Sequence, residues 1–191
     1  MLEQTGSISN DKGTFYYSQD TASNTRQVQV DSNNDGKIDG TSLFYEDENG
    51  NTVKGLYDHN GDGKYDDVSL FDYDENGNLT TRYDGTVNYE YMLNKKGEAK
   101  DFNNDGIIDD NDKVKHENYD KYVEFSCAED GNIIESASKE LTGWGKLAAK
   151  KKSINVELNS LNSEFANALA ERRQAIREVT EKEIEKSEVK F

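Results

Sequence analysis

Proline is absent from all 191 residues, which excludes polyproline linkers and collagen-like segments. A single cysteine, Cys127, leaves no internal disulfide. That fits a reducing compartment, and equally the disulfide-free proteins of bacterial surfaces. The two histidines, His59 and His116, lie far apart in the chain, so there is no Cys/His set for zinc. No glycine-rich phosphate loop and no nucleophile with a matching base stand out, and the chain reads as non-enzymatic. No apolar run approaches the length of about 20 residues that spans a membrane. The first thirteen residues lack both a basic region and an apolar core, so no secretory signal is visible. Three readings follow: a cytoplasmic protein, one exported without a leader, or a piece of something longer.

Hydrophobic residues are also scarce, at 32%, with a mean hydropathy of -1.02. Such values lean toward disorder. Eleven Tyr and seven Phe oppose that, because aromatics supply buried area and favour strands. A thin, aromatic β structure satisfies both. The net charge is -16 and uneven: residues 141–191 hold ten Lys/Arg against eight Asp/Glu, whereas residues 1–140 hold thirteen against thirty-one. An acidic field of that size repels nucleic acid and anionic membranes and attracts cations or basic partners. Neither nucleic-acid binding nor membrane insertion is expected.

What is present in abundance is repetition. Residues 31–57 and 58–84 align with fourteen of 27 positions identical, which marks a stacked-repeat architecture. Each unit reads as acidic loop, strand, Asn-Gly turn and strand. Asn49-Gly50 and Asn76-Gly77 are hairpin signals, since both residues of such a turn tolerate positive φ. Ahead of the repeats, Thr14–Tyr17 and Arg26–Val30 read as strands flanking a polar loop, and residues 1–13 as a loose tail. A degenerate third unit covers 85–100, with Lys96-Gly97 at its turn. A fourth covers 101–135, closed by Asp130-Gly131, with Val114–Lys121 expected to bulge out. Cys127 falls on the inward side of the alternation Val123, Phe125, Cys127.

Composition shifts near Ser136, and Gly143-Trp144-Gly145 reads as a hinge within 136–152, with Trp144 expected to pin a helix to the sheet. Beyond it, Ile154, Leu158, Leu161, Phe165, Ala168, Leu169, Ile176 and Val179 share one helical face, with Arg172 in its midst. Glu178 with Lys182 and Glu183 with Lys186 sit at pairing distance. The expected fold is therefore mainly β with a C-terminal α-helix: a stacked hairpin array over 14–135, then an amphipathic helix over 153–188 that caps the stack or takes a protein partner.

The acidic loops carry the chemistry. Calcium takes six to eight oxygens, which a twelve-residue loop can supply from positions 1, 3, 5, 7, 9 and 12 with glycine at 6. One loop sets Asp101, Asn103, Asp105, Gly106, Asp109 and Asp112 at positions 1, 3, 5, 6, 9 and 12, with the Ile107 carbonyl at 7 and Ile108 as an apolar anchor. Two others set Asp31, Asn33, Asp35, Gly36 and Asp39, and Asp58, Asn60, Asp62, Gly63 and Asp66, at positions 1, 3, 5, 6 and 9. Their position-7 carbonyls belong to Lys37 and Lys64, and their position 12 holds Ser42 and Ser69 in place of a carboxylate. Asp72, Asp74 and Asn76 make a partial fourth match. Asp, Asn and Gly are also ordinary turn residues, but the plain turns at Gly97 and Gly131 lack this spacing. Crowded carboxylates repel one another unless a cation offsets them.

The Asp101–Asp112 segment resembles the EF-hand calcium loop, and more closely its dockerin variant, which accepts Asp at the last position. The hairpin text around Asp72–Asp84 resembles the bacterial YD-type (RHS-like) repeats. These resemblances imply calcium as the bound ion, the named residues as ligands and a structural role for the hairpins. Affinity in the range of about 10⁻⁴–10⁻³ M, typical of extracellular modules, is expected for the two loops without an acidic position 12. That range points weakly to the cell exterior or surface. Three functions are compatible: a calcium-stiffened structural repeat protein, a calcium-responsive regulator that releases its helix, and a carrier portion of a larger secreted enzyme or toxin.

Overall fold

The computed structural model describes residues 2–128 and 132–188. Nine antiparallel strands form one sheet whose spatial order is the chain order. They are β1 Glu3–Asn10, β2 Gly13–Asp20, β3 Thr25–Asp31, β4 Gly40–Glu46, β5 Thr52–Asp58, β6 Asp67–Tyr73, β7 Leu79–Tyr91, β8 Lys113–Cys127 and β9 Ile133–Glu140. One helix, α1, follows at Gly143–Glu188. The architecture is the expected one: mainly β, a hairpin array, then a long helix.

The repeat is visible as a translation along the sheet. Leu43 pairs with Leu56 across β4 and β5, and 27 residues later Leu70 pairs with Tyr83 across β6 and β7. Alternation puts these side chains on one face. There Leu56, Val68, Leu70, Val87 and Tyr119 are buried together with Ala149 of α1. Burying Leu56 or Leu70 contributes roughly 1.5–3 kcal/mol each. The opposite face has no second layer among the described residues. Its aromatics cover the strands directly: a Cβ at Gly55 would lie 2.5 Å from the Tyr57 hydroxyl, so the ring of Tyr57 lies over the glycine.

Several expectations are corrected. Residues 3–10, read as a loose tail, form β1, an exposed edge strand held by backbone pairing to β2. Val114–Lys121 does not bulge out. β7 and β8 lengthen together to thirteen and fifteen residues, and their ladder runs from Thr81↔Glu124 to Tyr91↔Lys113. Only Asp120 is extra, opposite Gly85, where a Cβ would strike the Asn118 carbonyl at 2.3 Å. The Asn-Gly turns use positive φ at glycine alone, 82° at Gly50 and 81° at Gly77, while each preceding Asn keeps a negative φ. The N–H of Gly50 donates to the Asp47 carbonyl and that of Asp47 to the Asn51 carbonyl, and Gly77, Asp74 and Asn78 repeat the pattern, as a type I turn followed by a glycine bulge requires.

The hinge region is also different. The strand continues through Glu140, and Gly143-Trp144-Gly145 is the first turn of α1, which spans 46 residues, about 69 Å at 1.5 Å per residue. Trp144 pins nothing: it is 85% exposed. The apolar stripe of the helix faces away from the sheet, with Phe165 71% and Leu161 61% exposed. The Asp130-Gly131 turn, the Cys127 side chain and the pairings of Lys182, Glu183 and Lys186 lie outside what is described.

Candidate metal centre

An antiparallel meander sends alternate connections to opposite ends. The segments 31–39, 58–66 and 92–112 therefore all lie at one end of the sheet, and the turns 47–51 and 74–78 at the other. Neighbouring acidic loops are two strands apart, about 10 Å. They also touch. A Cβ at Gly61 would lie 2.4 Å from the Ile38 carbonyl, so the second loop packs its backbone on the first. Lys64 of the second loop reaches Asp110, beside the last, at 3.4 Å. The β2 residue Thr14 donates from its hydroxyl to Asn34 of the first loop at 2.7 Å.

The three loops share one backbone. Position 4 is left-handed in each, with φ of 57° at Asn34, 71° at Gly61 and 59° at Asn104. So is position 6, at 87° for Gly36, 84° for Gly63 and 88° for Gly106. This path turns main-chain N–H groups inward, and the side-chain oxygens accept from them. Gly36 donates to Asp31 at 2.8 Å, Gly63 to Asp58 at 3.0 Å and Gly106 to Asp101 at 2.8 Å. The amide oxygens of Asn33, Asn60 and Asn103 accept from the N–H of Asp35, Asp62 and Asp105, each at 2.9 Å. Asp35, Asp62 and Asp105 accept in turn from Lys37, Lys64 and Ile107 at 2.9, 2.8 and 2.8 Å. The first aspartates of the two repeat loops, Asp31 and Asp58, are buried.

The loops differ at their closing residue. Asp39 and Asp66, at position 9, accept from the N–H of Ser32 and His59. In the last loop Asp112, at position 12, takes over that role. It is fully buried and accepts from Phe102 at 2.7 Å, Asn103 at 3.2 Å and Asp109 at 2.8 Å. Asp109 instead caps the short 3-10 turn Asp110–Asp112. The N–H groups of Asp109, Asn103 and Phe102 hold the Asp112 carboxyl below its usual range. The Ser32 hydroxyl and N–H do the same for Asp39. Ser69 lies in β6 and bonds Asp84 at 2.9 Å, so it leaves position 12 of the second loop without an oxygen. Among the described residues, no group of three or more His, Cys, Asp or Glu side chains is gathered closely enough to hold a metal ion. Each loop offers a mixture of carboxylate, amide and main-chain oxygens.

A second charged centre escapes sequence reasoning. Beneath α1, fully buried Lys54 of β5 bonds Glu117 of β8 at 2.6 Å, and Ser153 and Glu157 of α1 at 2.7 Å each. Lys115 adds contacts to Glu157 at 2.6 Å and Glu117 at 3.0 Å. The Tyr119 hydroxyl donates to Glu117 at 2.9 Å, and Ser153 donates to the same carboxylate. Burial pushes the Glu117 carboxyl up, but the charge and hydrogen bond of Lys54, with Ser153 and Lys115, outweigh it and bring it to about 2. Burial and the Glu157 charge lift Tyr45 to about 12. The signal was present: Lys54 alternates with Val53 and Gly55 on the same face as Leu56, a core register for a lysine. Ser153 and Glu157 are four apart on one helix face.

No protein-family model matches this chain, and no curated protein matches it.

Proposed function

We propose that this protein is a non-catalytic, calcium-binding repeat protein. Its acidic loops take up Ca²⁺ and stiffen one end of a single-layer sheet that serves as a spacer or presents a surface to a partner. One observation carries the reading: three loops of matching spacing adopt the same backbone, with left-handed residues at positions 4 and 6. A plain turn has no need of two such residues or of three to four carboxylates. The donor chemistry fits the ion. Every candidate group is an oxygen, as a hard cation requires, and the loops are irregular rather than octahedral, which favours Ca²⁺ over Mg²⁺. Asp31, Asn33, Asp35 and Asp39 would hold one ion, Asp58, Asn60, Asp62 and Asp66 a second, and Asp101, Asn103, Asp105 and Asp109 a third. The carbonyls of Lys37, Lys64 and Ile107 would complete the sets. Asp112, tied by three N–H groups, closes its loop and is better suited to positioning than to bidentate ligation. Bound calcium would also lower repulsion between loops that sit about one Debye length apart.

The test is a calorimetric titration with Ca²⁺ of the wild type and of Asp105→Ala, beside melting curves in calcium and in chelator. Weak binding, one site fewer in the variant and a higher melting temperature in calcium are expected. No shift at millimolar calcium removes the ion from the account. A second reading, calcium-linked release of α1, draws on one contact chain. Asp112 leads directly into β8, whose Lys115 and Glu117 engage Glu157 and Ser153 of the helix. Faster proteolysis of α1 in chelator than in calcium is its signature, and equal rates remove it.

A further inference from the structure

The helix meets the sheet with its polar side. Lys152 reaches the Phe71 carbonyl at 3.1 Å, Ser153 joins the Lys54 cluster, Ser160 donates to the Ser23 carbonyl at 2.6 Å and Asn167 to Ala22 at 3.0 Å. At 100° per residue these positions lie about 150° round the helix from the apolar stripe. That stripe is therefore turned fully outward: Ile154, Leu158, Leu161 and Phe165 are each half exposed or more.

The spacing of the stripe names its occupant. Ile154, Leu158, Leu161, Phe165, Ala168, Arg172 and Ala175 recur at alternating intervals of four and three, the seam of a two-stranded coiled coil. Its two flanks carry different charge. One bears Glu164, Glu171 and Glu178, and the other bears Asn155, Asn162, Leu169 and Ile176. Two parallel copies related by a twofold axis along the helix set the acidic flank of each against the uncharged flank of the other. An antiparallel pair would set Glu against Glu. Arg172, within the seam, can reach the Glu171 flank of a second copy, and a lone polar residue at such a position fixes register at some cost in stability. The sheets lie on the far sides of their helices and do not obstruct the approach.

We infer that this protein pairs with a second copy of itself through the outward face of α1, as a parallel, in-register two-helix coil. The inference extends the reading that α1 offers a partner surface and is independent of calcium. Sedimentation of the full chain in chelator is expected to give twice the mass of 21.6 kDa down to low micromolar concentration. Leu158→Glu with Phe165→Glu is expected to halve that mass and leave the sheet's circular dichroism unchanged, because neither side chain touches the sheet. In a Cys127→Ser chain with oxidised glutathione, Leu161→Cys and Ala175→Cys should each cross-link to itself. A monomeric wild type, a mass indifferent to the double substitution, or self-cross-linking at only one of the two positions overturns the proposal. A dimer with no calcium-linked melting shift would sink the calcium reading alone, and a monomer with the shift would sink the pairing alone.

Discussion

The row of acidic loops and the cluster beneath α1 are both dense in carboxylates, yet they manage the charge in opposite ways. In the cluster, Glu117 and Glu157 alternate with Lys54 and Lys115, and the buried polar side-chain atoms among the described residues all have partners. The charges belong to the chain, so the arrangement is complete on folding. In the loops, the candidate ligand carboxylates accept from neutral donors, chiefly main-chain N–H groups and at Asp39 also the Ser32 hydroxyl. These satisfy oxygens without cancelling charge. The difference teaches where an added ion can matter: at the loop end, and nowhere beneath the helix. The turns at the other end are the control. Asp47 and Asp74 each bridge a single turn alone, accepting from Asn49 and Asn51, and from Asn76 and Asn78, all at 2.8–2.9 Å.

The contrast can be attacked at its strongest point first. Lys54→Met leaves Glu117 and Glu157 sharing only Lys115, and such a broken buried pair costs about 3–5 kcal/mol. Urea midpoints should fall equally with calcium and with chelator. A calcium-dependent loss would mean that the two regions are not separate.

Acid should strip the cluster next. The Glu117 carboxyl falls from 4.5 to about 2 on folding, so its contribution is fully present above pH 4.5 and is lost as pH drops toward 2. That is on the order of 3 kcal/mol. Protection factors along residues 149–167, with the intrinsic pH dependence of amide exchange divided out, should fall over this window and stay level between pH 5 and 8. On the proposed reading calcium would act on the other region, with an effect of comparable size. A free concentration one hundred times the dissociation constant stabilises by about 2.7 kcal/mol per loop. Melting in calcium against chelator should show it, and Asp58→Ala should remove the share of the second loop. The smallest effect is at the control. Asp74→Ala loses one turn bridge, about 1 kcal/mol, with the same calcium response as the wild type. A diminished response there would show that the turns share in the binding.

Much of this was legible in the residues. The 27-residue period, the hairpins and the common spacing of the three loops are local, and local pattern is what a sequence displays most directly. The conformation of Asn76 was not, because Asn-Gly serves two turn types and the flanking register decides between them. Nor was β1: its side chains are all exposed, and it is held by backbone pairing that almost any sequence can supply. The orientation of α1 misled for a physical reason. An apolar stripe normally seeks the core, but the landing face of the sheet carries Lys54, Lys115 and Glu117, which only a polar helix side can satisfy. Recognising that needs side chains of β5 and β8, about sixty residues apart in the chain and separated by β6 and β7, to meet on one surface.

Strand order that equals chain order has one more consequence. No connection crosses another, so copying 27 residues would insert two strands and extend the sheet by about 10 Å without rerouting the rest. Duplication or deletion of a unit would thus resize the molecule in fixed increments, and a pull on its two ends would peel strands away in sequence, one seam at a time.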